Sequence, residues 1–190
     1  MPATSDRTTR EALMDAALDQ IEERGVLAGL NLREVAAAAG VTTANIYHLF
    51  GSRQGLLRAA LGREAAALAT PLEEASRLGF VDRRLRMFDA IVGAPTLRLT
   101  ALLALDGDPD YSPLPFVEAS QAWHAELAAT GGLDPDVDAE ALHLLGVATS
   151  IGVAIYAEAA ARQLDTDPDE LTARVRAVLA RLLGSVVPAG

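Results

Sequence analysis

The sequence predicts an all-helical fold, on three observations. Alanine, leucine and arginine dominate, while Phe, Trp and Tyr together make only 4% of the chain. No segment alternates apolar and polar residues as a half-buried strand does. Apolar residues instead recur at three- and four-residue spacing between capping signals. A hydrophobic share of 51% over 190 residues suffices for one compact domain, or for a small module joined to a medium one.

The elements follow in order. Thr8 and Glu11 form a capping box, and Leu13, Ala17, Leu18 and Ile21 continue it as one apolar stripe up to Gly25, which suits a left-handed helix end. After a linker over residues 26–30, Asn31 caps a short helix over 32–39 with Glu34 three residues on, and Gly40 stops it. Thr42 caps a third helix ending near Phe50. Gly51 breaks it, and Ser52 caps a fourth that runs to about residue 69. Further helices are expected near 71–78, 82–93, 95–105, 114–130, 138–163 and 167–183. The last opens on Asp167-Pro168-Asp169-Glu170, a strong start signal.

Composition excludes several functions. Without cysteine there are no disulfides, thiol nucleophiles or thiolate metal sites. His48, His124 and His143 have no ligand spacing, and neither a glycine-rich phosphate loop nor a Gly-x-Ser-x-Gly elbow occurs. No catalytic residue, metal or cofactor is therefore expected. The polar N-terminus lacks the apolar core of a signal peptide. The longest apolar stretch, 144–157, is shorter than the roughly 20 residues of a spanning helix. A cytoplasmic protein with no membrane partner is expected.

The net charge of −10 is unevenly spread. Residues 99–161 carry ten acids and no Arg or Lys, whereas the remainder balances 16 arginines against 16 acids. The acidic block would be repelled by nucleic acid, which leaves the N-terminal end as the surface able to approach phosphates. The same acids equally suit a solvated face, or a pocket for a cationic ligand.

Residues 32–53, LREVAAAAGVTTANIYHLFGSR, place two short capped helices around a turn at Gly40. Ala36 allows a close crossing, and Leu32, Val35, Val41, Ile46 and Phe50 can fill the wedge behind it. These are the physical requirements of a helix-turn-helix, whose second helix enters the major groove. The string GVTTANIYHLFGSRQGLL resembles the signature of the TetR family of regulators, and the likeness covers about the first 60 residues. It differs at Leu49, Thr43 and Asn31, where the family often has His, a basic residue and Ser or Thr.

That resemblance implies a helix-turn-helix DNA-binding domain over 1–51 and a helical ligand-binding and dimerisation domain over 52–190. It implies a homodimeric regulator, usually a repressor, on a palindromic double-stranded DNA operator, released by a small effector. Thr42, Thr43, Ala44, Asn45 and His48 lie where the family reads bases, Asn45 having the amide that suits adenine. Tyr47, Arg33 and Arg53 would hold phosphates. Arg7 and Arg10 fall in an expected tail, either solvated or reaching the minor groove.

The segment 142–161 is apolar nearly all round, with small residues at Gly146, Ser150 and Gly152, and Leu171, Val175, Val178 and Leu182 form a stripe on the last helix. The two helices are either ordinary core or a four-helix contact with a second copy, the family's way of dimerising. Phe88, Phe116, Trp123 and Tyr156 are candidates to line an effector cavity, with Gln121, His124 and His143 to orient a largely apolar or aromatic ligand. A helical protein-interaction module and an effector-independent regulator remain the alternatives.

Overall fold

A computed structural model of the chain describes residues 3–25, 29–94, 99–112, 114, 116–134 and 136–188. Among them the fold is all-helical, with ten helices. They divide into two compact units, Met1–Ala66 with Leu99–Tyr111, and Ala67–Arg98 with Ser112–Gly190.

The first unit contains α1 (Ala3–Arg24), α2 (Leu32–Ala38), α3 (Thr43–Phe50), α4 (Arg53–Ala66) and α7 (Thr100–Leu105). Leu13, Ala17 and Ile21 of α1, Val35 and Ala36 of α2, and Ile46 of α3 are buried against Leu56, Leu57, Ala60 and Leu61 of α4. Leu32, Val41 and Phe50 pack on this core while partly exposed, so the expected wedge is present. The unit thus extends past residue 51, because α4 and Leu99 and Leu103 supply apolar surface that three short helices lack.

Two expectations about α1 need correction. The helix begins at Ala3, so Thr8 and Glu11 lie within it rather than at its cap. Arg10 is not in a tail either. Its Nη1 donates to the Leu49 carbonyl at 2.7 Å and its guanidinium sits 4.4 Å from the Phe50 ring centre. A cation there satisfies an orphan carbonyl at the end of α3 and favours the negative end of the helix dipole. In the following linker, residues 26–28 lie outside the described residues.

The acidic block is not one exposed face. Arg58 of α4 bonds Asp108 at 3.2 Å and Asp110 at 2.6 Å, and Gln54 donates to Asp106 at 3.0 Å. Three of its carboxylates therefore hold α4 within the first unit.

The second unit contains α5 (Ala69–Ala75), α6 (Phe80–Val92), α8 (Val117–Ala129), α9 (Ala139–Leu164) and α10 (Pro168–Gly184). Asp138 and Asp167 cap α9 and α10, each accepting from two first-turn amides. The expected helix over 95–105 is described only from Leu99, as residues 95–98 lie outside the described residues. The one expected from 114 starts at Val117, after Phe116 in the left-handed region at φ 58°. Phe80, Leu85 and Phe88 of α6 meet Leu142 of α9 and Leu179 and Leu183 of α10 in the core. Asp89 of α6 pairs in bidentate fashion with Arg176 of α10, at 2.7 and 3.0 Å.

The apolar stretch in α9 is longer than the sequence indicated. Among the described residues α9 is long and apolar enough to cross a membrane by length and composition, with mean hydropathy 1.6. Within its unit Leu142, His143, Val147, Ser150 and Ala161 are buried, while Leu144, Ile155 and Tyr156 are exposed.

Candidate nucleic-acid interface and candidate effector cavity

The turn between α2 and α3 is built by Gly40, at φ +70°, and by the Val41 amide donating to the Ala36 carbonyl at 2.9 Å. Ala36 is buried, and its small side chain lets the two helices cross there. A polar cluster fixes α2 to α1. Asn31 Nδ2 and Gln20 Nε2 both donate to Glu34, Gln20 Oε1 accepts from the Asn31 amide at 2.7 Å, and Arg24 pairs with Glu34. Glu34 is thereby occupied from the side of α1.

Opposite this core, α3 presents Thr42, Ala44, Tyr47 and His48 to solvent, with Thr43 and Asn45 half-buried beside them. Arg33 at the start of α2 and Arg53 at the start of α4 are also exposed. The eight expected DNA-contacting residues are thus gathered on α3 and on the two helix starts that flank it.

Asn45 has a second occupation. Its Oδ1 accepts from the Thr42 amide at 3.2 Å and from the Thr42 hydroxyl at 2.9 Å, which closes a capping box at the start of α3. At the other end Ser52 Oγ accepts from the Gly55 amide at 2.9 Å and starts α4 directly after α3. Gly55 was not singled out from sequence. A Cβ there would lie 2.0 Å from the Phe50 carbonyl oxygen. Only glycine allows α4 to leave α3 this closely.

The chain can now be compared with known proteins. Residues 13–60 match the family model described as bacterial regulatory proteins, tetR family. Over these residues the chain carries a domain similar to the DNA-binding domain of that family. It is 40% identical over 90 residues to the HTH-type transcriptional regulator BetI of Rhizobium meliloti (strain 1021), a match covering 42% of this chain and 44% of BetI. It is 39% identical over 56 residues to the regulatory protein RaaS of Mycobacterium tuberculosis, covering 30% and 26%. The chain therefore matches less than half the length of these curated relatives. Among solved structures, Streptomyces coelicolor SCO4942 is similar over 96% of this chain and 99% of its own, at 25% identity and TM-score 0.67. The family model ends at residue 60, whereas the likeness in helical fold to this solved structure runs over nearly the whole chain.

In the second unit a cavity of about 90 Å³ lies between α5, α6, α8, α9 and α10. Of the expected lining residues, Phe88, Phe116, Trp123 and His143 border it. Gln121, His124 and Tyr156 do not. Gln121 is exposed and donates to Glu140 at 2.9 Å, and Tyr156 is 67% exposed. Gly146 and Ser150, two residues expected at a dimer contact, line the cavity, and Ser150 is buried with its hydroxyl donating to the Gly146 carbonyl at 2.8 Å. Val175 packs on the core, Leu171 is half-buried, and Val178 and Leu182 are exposed. Gly152 has open space where a Cβ would point. The helical period explains this division: α9 and α10 each turn one face inward and one outward, and the small residues of α9 fall on both.

His124 is buried beside the cavity, with Arg84 Nη2 donating to its Nε2 at 2.6 Å and Ser120 Oγ 3.4 Å from Nδ1. Burial, then the neighbouring Arg84 charge, hold it neutral, lowering its pKa to about 4.

Proposed function

We propose that this chain is a homodimeric DNA-binding transcriptional regulator of the cytoplasm, not an enzyme, which represses from a palindromic operator and is released by a small, largely apolar ligand. The observation that carries the reading is the exposed face of α3, flanked by Arg33 and Arg53 and backed by a buried core. Residues 1–51, with Arg53 just beyond them, hold the groups that meet DNA, and the rest of 52–190 holds the effector cavity and the dimer contact. Thr42, Thr43, Ala44, Asn45 and His48 face bases, and Tyr47, Arg33 and Arg53 face phosphates.

Selection of bound DNA from a random pool, followed by titration of the selected operator, tests this directly. Tyr47→Phe and Arg53→Ala weaken binding on every sequence, and Arg53→Ala lowers the salt slope by about one ion. Asn45→Ala has two effects of different origin. Loss of the capping box lowers stability by about 1 kcal/mol. Loss of the amide flattens the preference at one base position per half-site, worth about 1–3 kcal/mol on the best operator. Equal losses on selected and random DNA would leave Asn45 its capping role alone. A protein that enriches no motif at low salt would overturn the regulator reading.

A further inference from the structure

The cavity in the second unit is largely apolar, with Arg83, Arg84, Ser120, His143 and Ser150 as its polar lining residues. Met87, Phe88, Phe116 and Trp123 are among its apolar lining residues, and Arg84 of α6 reaches the same space. Position 84 lies on the inward stripe of that helix, four residues from buried Phe80 and four from buried Phe88. The neighbouring Arg83 has its own partners: it donates to the carbonyls of Ala75 and Ser76, and its guanidinium lies 3.5 Å from the Trp123 ring centre. Arg84 differs. Its Nη2 donates to neutral His124, its Nε is buried without an acceptor, and no carboxylate pairs with it among the described residues.

A cation inside an apolar wall is costly unless an anion accompanies it. Burial, and then the adjacent Arg83 charge, lower the Arg84 pKa to about 10, still far enough above neutrality to keep it positive. The other polar lining groups, Ser120, His143 and Ser150, bring no negative charge to offset it. Ser150 spends its proton on the Gly146 carbonyl, and Ser120 Oγ lies beside His124 Nδ1. What the cavity lacks is a planar anion attached to something apolar.

We propose that this cavity binds a small apolar monocarboxylate, its carboxylate paired with Arg84 and its hydrocarbon body packed against Met87, Phe88, Phe116 and Trp123. The inference rests on reading the cavity as the effector site, and it replaces the expectation of a ligand chosen by apolar contact alone. The guanidinium fork matches a carboxylate in geometry as well as charge. At about 90 Å³ the cavity is smaller than the roughly 150 Å³ that admits benzene in an engineered core. A short chain such as butanoate therefore fits best, and hexanoate or a ring enters only if Met87 or the half-exposed Leu145 turns aside.

The test uses matched probes on the full chain: butanoate, hexanoate and benzoate against butanamide, hexanamide and benzamide. Trp123 is the one tryptophan and borders the cavity, so its fluorescence reports occupancy. At least one carboxylate changes Trp123 emission and raises the melting temperature, with its amide at least about 10-fold weaker. Arg84→Met, which keeps an apolar stem, removes that preference, and Arg84→Lys retains part of it. Should Arg84→Met fail to fold, the amide comparison and Arg84→Lys still decide. Three results would each overturn the proposal: no carboxylate binds, amides bind equally, or Arg84→Met binds carboxylates unchanged. Operator binding is read separately. Carboxylate binding that leaves operator affinity intact upholds the site and removes only its role as effector, whereas failure of the carboxylates with operator binding intact removes the site and leaves the regulator.

Discussion

Gly55→Ala abolishes operator binding and lowers the melting temperature of the chain, whereas Gly62→Ala in the same helix does neither. Both glycines sit in α4, and by helix propensity each replacement favours folding by roughly 0.5–1 kcal/mol. Sterics reverse the sign at only one of them. The new Cβ at position 55 would lie 2.0 Å from the Phe50 carbonyl oxygen, while that at position 62 meets nothing within 4 Å. The obstacle is backbone, so no side-chain rotation relieves it and the end of α3 must move. Overpacking of this kind costs on the order of 3 kcal/mol, or about 6–12 °C in a chain of this size. The displaced element is the one carrying Tyr47 and His48, so operator affinity falls further than stability, by more than about 100-fold, since small misplacements of a contact surface forfeit several contacts together. Thermal unfolding of the two variants beside operator titration decides the matter. An unchanged operator affinity for Gly55→Ala would show that α3 does not need its present seat against α4.

The contrast between Gly55 and Gly40 shows what the sequence made legible. Gly40 lies between two capped segments, and the left-handed turn it provides is announced by its neighbours. Gly55 lies inside a helix, where a glycine reads as a weak spot, and the reason for it is a contact with a backbone atom five residues earlier. Local signals located the caps at Asn31, Thr42, Ser52 and Asp167, because a cap bonds within three residues of itself. Partnerships across the chain left no such trace. Arg10 ties α1 to the end of α3 over 39 positions, and Arg58 reaches Asp108 over 50. The seven cavity candidates divided because apolar character does not say which face of a helix turns inward. Phe88 falls on the buried stripe of α6, and Tyr156 on the outer side of α9. Arg84 was readable in principle, as a charge at a position where the helical period demands an apolar residue, and such a breach of local pattern is characteristic of a functional position.

Gly152→Arg is expected to convert the proposed dimer into a monomer while leaving the fold of each chain intact. No neighbouring atom of its own chain lies within 4 Å of where a Cβ would be, so the protomer accommodates a long side chain at this position. Replacing a helical glycine also favours α9 by up to about 1 kcal/mol. Any damage must then come from what covers this face in solution. Around Gly152 the outward side of α9 carries Leu144, Ile155 and Tyr156, and α10 adds Val178 at 55% and Leu182 at 60% exposure. Apolar side chains in such number on two adjoining helices suit a contact surface, and in the proposed homodimer a second copy related by a two-fold axis would bury both helices at once. An arginine at a close helix crossing would be buried there without a partner and would hold the copies apart. Light scattering returns twice 19.9 kDa for the parent chain at micromolar concentration and 19.9 kDa for the variant. Operator affinity falls with it, by on the order of 10²–10⁴, because two linked recognition helices enter successive major grooves about 34–36 Å apart and a single one loses that advantage. A variant that stays dimeric moves the interface away from α9. A parent chain that is monomeric at every concentration removes the palindromic operator as well.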